Sequence, residues 1–199
     1  MGYDPALMAR KRTGRSSSAG GAAPALAVVV SRYNASVTDR LLSGAKEVYA
    51  EAGGDVEMLR VIAAPGAYEL PALALAAART GKFKGVLGLG CLIKGETSHD
   101  RYIAEAVAHG LVGVTLATGV PCAFGVLTVD TPEQAEERAG GAHGNKGAEG
   151  MAALLDTVIQ IDALSGNGRR GVVPGFGGTR RGEADHPDKA RRGPAGYPD

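Results

Sequence analysis

A parallel β-sheet sandwiched between helices is the fold class this sequence predicts, and three observations carry it. The runs Ala25-Leu-Ala-Val-Val-Val30 and Gly85-Val-Leu-Gly-Leu-Gly90 are continuously apolar, as strands covered on both faces are. Stretches with apolar residues at helical spacing follow each strand-like run. Helix-start residues and glycine stops punctuate the alternation. Strictly alternating strands and helices give a three-layer α/β/α sandwich around a four-stranded parallel sheet, with right-handed crossovers.

The elements follow in order. Ala25–Val30 is the first strand. Thr38 or Asp39 is expected to cap a helix bearing Leu41, Leu42, Ala45, Val48 and Tyr49 on one side and ending near Gly53-Gly54. Val56 to Ile62 reads as a second strand. Glu69 to Thr80 is a helix with Pro71 in its first turn and Gly81 beyond its end. Val86 to Gly90 is the third strand, and a long helix from Ser98 is patterned by Tyr102, Ile103, Ala106, Val107 and Leu111. Cys122 to Thr128 is the fourth strand. Thr131-x-x-Gln134 is a capping box opening a short helix to about Ala139. The last helix, Lys146 to Leu164, carries Met151, Leu154, Leu155, Val158 and Ile161 on one side.

Composition sets the bounds. The chain has 199 residues, enough for one domain and two tails: an N-terminal arm (1–23), a core (24–164) and a C-terminal tail (165–199). The arm is small, polar and basic and is expected to be flexible. The tail is dominated by glycine, arginine and proline; too little apolar surface is available to offset its ordering entropy, so disorder is expected. A net charge of +1 points to neither a nucleic-acid nor a membrane partner. Cys91 and Cys122 sit in apolar contexts and read as buried thiols rather than a disulfide. No apolar run reaches membrane length, and no apolar stretch with a cleavage site follows Arg10-Lys-Arg12, so the cytoplasm is the expected compartment.

Chemistry concentrates where strands end, which is where parallel sheets bind ligands. Arg32-Tyr-Asn34, Ala64-Pro-Gly-Ala-Tyr-Glu69, Lys94 to His99 and Thr128-Val-Asp130 follow the four strands in turn, and all four are expected to converge on one rim. Gly95 to Ser98 precede a helix whose first N–H groups and dipole suit an anion, phosphate above all. His99 sets a proton carrier beside that cradle. Other motifs fail on spacing. Gly88-x-Gly90 lacks the third glycine of a dinucleotide fingerprint, and Gly144-Asn-Lys-Gly147 lacks the core of a nucleotide P-loop. The four histidines lack metal-ligand spacing, so no metal is expected.

Taken together, Arg32-Tyr-Asn34, Pro65-Gly-Ala-Tyr-Glu-Leu-Pro71, Gly90-Cys-Leu-Ile-Lys-Gly-Glu-Thr-Ser-His99, Phe124-Gly-Val-Leu-Thr128, Glu137-Arg-Ala-Gly140 and Asn145-Lys-Gly147 resemble the lumazine synthase family over roughly residues 24 to 164. Their order and spacing make the likeness specific. The resemblance implies a flavodoxin-like sandwich and a cofactor-free condensation in riboflavin biosynthesis. In it 5-amino-6-(D-ribitylamino)uracil and 3,4-dihydroxy-2-butanone 4-phosphate give 6,7-dimethyl-8-ribityllumazine, phosphate and water. It assigns Tyr33 to stack on the pyrimidine. Ala67, Tyr68 and Glu69 would hold the ribityl chain and ring edge, and Cys91, Leu92 and Ile93 would meet the pyrimidine through their backbone. Glu96 and Thr97 would bind phosphate with N–H groups, helped by Arg138. His99 would move protons, and Phe124 would cover the ring from a neighbouring subunit.

It further implies a homo-oligomer, a pentamer that stands alone or assembles into a decamer or a sixty-subunit shell, with riboflavin synthase as a partner. Some positions depart from the family pattern. Tyr33 and Tyr68 stand where phenylalanine is common, Lys94 where arginine is frequent, and Ala142 where some members carry a basic residue. Two other readings predict different residues. A non-catalytic lumazine binder would dispense with His99 or Arg138. A flavodoxin-like electron-transfer or signalling module would need a bound flavin phosphate or an acceptor aspartate after strand two, where Ala63-Ala-Pro-Gly66 stands.

Overall fold

The computed structural model describes residues 23–166; the expected arm and tail lie, save their innermost residues, outside that span. Four parallel strands form one sheet in the order β2-β1-β3-β4: β1 (Leu26–Ser31), β2 (Arg60–Ala64), β3 (Gly85–Ile93) and β4 (Cys122–Val129). The helices are α1 (Ala35–Glu51), α2 (Leu70–Arg79), α3 (His99–Thr118), α4 (Pro132–Arg138) and α5 (Lys146–Leu164). Helices cover both faces of the sheet, giving the flavodoxin-like three-layer sandwich.

Alternation along β1 divides the core in two. Leu26, Val28 and Val30 join Leu41 and Tyr49 of α1 and Met151, Leu154 and Leu155 of α5. Ala27 and Val29 turn to the opposite face, with Leu70 and Ala74 of α2 and Val107 and Leu111 of α3. Leu41, Leu154 and Leu155 are fully buried, each stabilising the fold by about 1.5–3 kcal/mol. On the first face α1 and α5 touch backbone to backbone: a Cβ on Gly147 would stand 2.0 Å from the Leu41 carbonyl oxygen. Asn145 clasps the same junction. Its Oδ1 accepts from the N–H groups of Gly147 (2.9 Å) and Ala148 (3.1 Å), and its Nδ2 donates to the Arg40 carbonyl at 2.8 Å.

Local chemistry moved three expected boundaries and added a small hairpin. Helix α1 starts at Ala35, behind Asn34, and neither Thr38 nor Asp39 caps it. Thr38 is buried instead, its hydroxyl donating to the Ser31 carbonyl at 2.9 Å and fastening the helix to β1. Val56–Met58 is a 3₁₀ turn rather than the start of β2, because the Asp55 carboxylate caps the Glu57 N–H at 3.0 Å. Strand β3 runs on to Ile93, since Cys91, Leu92 and Ile93 pair with Leu127, Thr128 and Val129. A small hairpin, β5 (Ala139–Gly141) with β6 (Gly144–Asn145), separates α4 from α5; Gly140 and Gly144 supply its positive φ angles of 104° and 77°. Thr131 does cap α4, its Oγ1 accepting from the Gln134 N–H at 3.3 Å, but the expected box is displaced by one residue: Gln134 Oε1 accepts from the Asp130 N–H at 2.9 Å.

Candidate active site

Because β1 lies between β2 and β3, the chain leaves β1 toward one side of the sheet and β3 toward the other. Such a switch point opens a crevice beyond the carboxyl ends of the strands. A cavity of about 610 Å³ lies there, lined by residues following β1 (Tyr33, Asn34), β2 (Gly66 to Glu69) and β3 (Cys91 to Ile93, Gly95, Thr97), and by His99, Asp100 and Ile103 at the start of α3. Its size suits a small heterocycle with a polar chain.

Each rim is held by its own backbone. The Arg32 N–H donates to the Ala64 carbonyl at 2.8 Å, tying the first loop to the end of β2. The Glu69 carboxylate accepts the Gly66 N–H at 3.0 Å, so it shapes the Gly66–Tyr68 loop as well as facing the cavity. Lys94 continues the ladder through an N–H bond to the Val129 carbonyl at 2.8 Å, and its ammonium stands 3.7 Å from the Asp130 carboxylate. At the head of α3, Ser98 makes no side-chain cap, which leaves first-turn N–H groups available. Tyr33 and Tyr68 stand well out of the surface, their ring faces open to a partner. Burial pushes the Cys91 thiol up to about 11, so this cysteine is a neutral packing group and offers the cavity its backbone alone.

Of the residues named from sequence, the cavity brings together Tyr33, Ala67, Tyr68, Glu69, Cys91, Leu92, Ile93, Thr97 and His99. Glu96 stands beside it, exposed, and is not among the lining residues. Phe124 and Arg138 are elsewhere. Phe124 pairs with Gly88, in the middle of the sheet rather than at its carboxyl edge. It lines a separate hollow of about 380 Å³ with Thr128, Lys146 and Glu149. The four rims therefore do not all converge: β4 is one strand too far from the switch point, and Thr128 opens on the second hollow. Arg138 donates to the Gln134 carbonyl at 3.1 Å and lies 3.9 Å from Glu137, whose same carboxylate oxygen is 3.1 Å from His143 Nδ1. Sequence reasoning passed over Asp100 and Ile103 as lining residues; the place of Ile103 four residues after His99 and three after Asp100, spacings that share a helix face, was the available signal.

Among the described residues, no group of three or more His, Cys, Asp or Glu side chains is arranged to hold a metal, and no helix is long and apolar enough to cross a membrane. Fold and cavity together define a class, the doubly wound α/β protein with a small-molecule site at its switch point. The comparisons narrow it. The family model for 6,7-dimethyl-8-ribityllumazine synthase matches residues 24–161. Proteins named 6,7-dimethyl-8-ribityllumazine synthase from a Sulfurovum species and from Thermus thermophilus are 47% and 46% identical, covering 70% of this chain and 89% of each relative. The 6,7-dimethyl-8-ribityllumazine synthase 1 of Caulobacter vibrioides is 49% identical, over 72% of this chain and 94% of its own. The chain belongs to the 6,7-dimethyl-8-ribityllumazine synthase family.

Proposed function

We propose that the switch-point cavity condenses 5-amino-6-(D-ribitylamino)uracil with 3,4-dihydroxy-2-butanone 4-phosphate to give 6,7-dimethyl-8-ribityllumazine, phosphate and water. The observation that carries this reading is one lining set that joins an open aromatic face (Tyr33), a backbone edge (Cys91 to Ile93), an uncapped helix start (Thr97) and a histidine (His99), in a member of this family. The pyrimidine stacks on Tyr33 and meets the backbone of Cys91, Leu92 and Ile93, while Ala67, Tyr68 and Glu69 hold the ribityl chain. The phosphate sits against the N–H groups of Glu96 and Thr97, where helix dipole and backbone donors favour an anion. Imine formation between the two substrates, phosphate elimination, ring closure and dehydration each move a proton, and His99 is the group placed to carry it near neutral pH.

Phe124 and Arg138 enter this reading only as groups supplied by a neighbouring subunit. Their positions away from their own chain's cavity support a site shared across an interface, in a pentamer or in a shell of pentamers. The short Gly140–Gly147 connection favours the shell, which is compatible with holding riboflavin synthase. A cytoplasmic location fits this chemistry. Mixing the full chain with the two substrates and following lumazine absorbance tests the activity; a correctly assembled protein that forms no lumazine overturns it. Light scattering with activity on the same fractions tests the shared site, which active monomers would refute.

A further inference from the structure

Asn34 is the sole residue other than glycine with a positive φ among the described residues, at φ 58° and ψ 47°. It occupies the cap position of α1, where an asparagine side chain ordinarily accepts an N–H from the first turn. Here it does not. The first-turn N–H groups of Val37 (2.9 Å) and Thr38 (3.0 Å) go to its backbone carbonyl. The side chain is free for another use: Nδ2 donates to the carbonyl of Cys91 at 2.9 Å, across 57 residues of sequence.

The place of that bond matters. The ladder between β1 and β3 has its last pair at Val30 and Leu89, while β3 continues alongside β4 as far as Ile93. Beyond Leu89 the paired register of the two central strands ends, and the residues that follow, Tyr33 and Asn34 on one side and Cys91 to Ile93 on the other, line the gap in which the cavity lies. The Asn34–Cys91 bond closes the inner end of that gap. One of its anchors adjoins Tyr33, the stacking face; the other is the first residue of the backbone edge Cys91 to Ile93. We infer that Asn34 is a positioning residue: it sets the spacing between the aromatic face and the β3 edge, and thereby the fit of a flat ring between them. The left-handed backbone turns this side chain away from α1 and toward β3, which explains why a strained conformation is held at this position. Asparagine suits it because it tolerates that conformation better than other residues with side chains and because its amide carries a donor.

This inference rests on the pyrimidine reading of the cavity, so the test measures binding as well as turnover. The full chain and the variants Asn34→Gly and Asn34→Asp are compared. Glycine keeps the backbone conformation and loses the tether. Aspartate keeps shape and conformation and replaces the donor with a carboxylate facing a carbonyl. The readouts are the Kd of 5-amino-6-(D-ribitylamino)uracil alone by calorimetry, KM for each substrate, and a urea unfolding midpoint. The expected result is a roughly tenfold weaker Kd and higher KM for the pyrimidine in both variants, the scale of one well-made hydrogen bond, with KM for the phosphorylated ketone within about twofold of wild type. A merely structural role predicts a lower unfolding midpoint with both Michaelis constants unmoved or moved together, and either pattern overturns the inference. A wild-type chain that binds the pyrimidine without forming lumazine would refute the proposed reaction yet still test Asn34 through the Kd. A wild-type chain that binds no pyrimidine would remove both. Unchanged pyrimidine affinity in Asn34→Gly would overturn the positioning role alone.

Discussion

Gly147→Ala adds a single methyl group at the point where α5 crosses α1, and its cost can be worked from the contact. The new Cβ would stand 2.0 Å from the Leu41 carbonyl oxygen, 2.6 Å from its carbon and 2.9 Å from its Cα. All three are backbone atoms, so no rotamer change relieves the clash and the helices must part by more than an ångström. A gap of that order forfeits a quarter to a half of the dispersion energy along the seam between Leu41 and Ala45 of α1 and Met151 and Leu154 of α5. It also stretches the Asn145–Arg40 bond, now 2.8 Å. Overpacking of about 1–3 kcal/mol plus about 1 kcal/mol for the bond gives a loss of about 2–4 kcal/mol, a large part of a typical domain's stability. Gly113→Ala is the control. Gly113 lies in α3, and a methyl group there would meet nothing within 4 Å, so helix propensity alone acts and stabilises by about 0.5–1 kcal/mol. Urea unfolding at one fixed protein concentration reads both, so that any dependence of stability on assembly is held constant. A Gly147→Ala stability within about 1 kcal/mol of wild type, or the same sign for the two substitutions, would refute the reasoning.

His99→Ala should lower kcat by roughly 10²–10⁴-fold, or less where amine condensation proceeds unaided, and pre-steady-state absorbance would show which step slows. Arg138→Ala should raise KM for the phosphorylated ketone and leave KM for the pyrimidine unchanged; the reverse pattern would displace Arg138 from the phosphate role. Alkaline pH should loosen the fold through Cys91. The folded state keeps its thiol protonated up to about 11 whereas the unfolded chain releases the proton near the ordinary 9.0. Stability is therefore full below pH 9 and falls between pH 9 and 11, by up to about 3 kcal/mol, and Cys91→Ala should flatten that slope in pH-dependent urea melts. A chain ending at Gly166 should keep activity and oligomer mass, because the core elements end with α5 at Leu164; loss of either would show that residues 167–199 take part.

How much of this was legible in the sequence depends on where the deciding contact lies. The sheet was readable because both of its faces are covered, which leaves continuous apolar runs such as Leu26 to Val30. The Thr131 cap and the start of α5 were readable because their caps are local. The start of α1 was not. Its boundary is set by a left-handed Asn34 and a bond to Cys91 far along the chain, and Thr38, which suits a cap by type, is taken by the Ser31 carbonyl. The 3₁₀ turn at Val56–Met58 was hidden by β-prone composition and revealed only by the Asp55 cap. At the site, residues adjoining a strand end were placed well by motif and rim. Phe124 and Arg138 were named by resemblance; nothing in the sequence reports that β4 is the far strand of the sheet, which keeps Phe124 from the cavity of its own chain.

That division of His99 from Phe124 and Arg138 has a genetic consequence on the shared-site reading. Two impaired chains, one lacking the histidine and one lacking the arginine, carry complementary defects. When they co-assemble, some interfaces join the intact cavity of one chain to the intact Arg138 of the other, while a like number gather both lesions into one site. At low concentrations of the phosphorylated ketone, a cell or a refolding mixture holding both mutant chains would then regain part of the activity that each mutant chain lacks on its own. On the shared-site reading, damage to this protein would be inherited by the interface and not by the polypeptide.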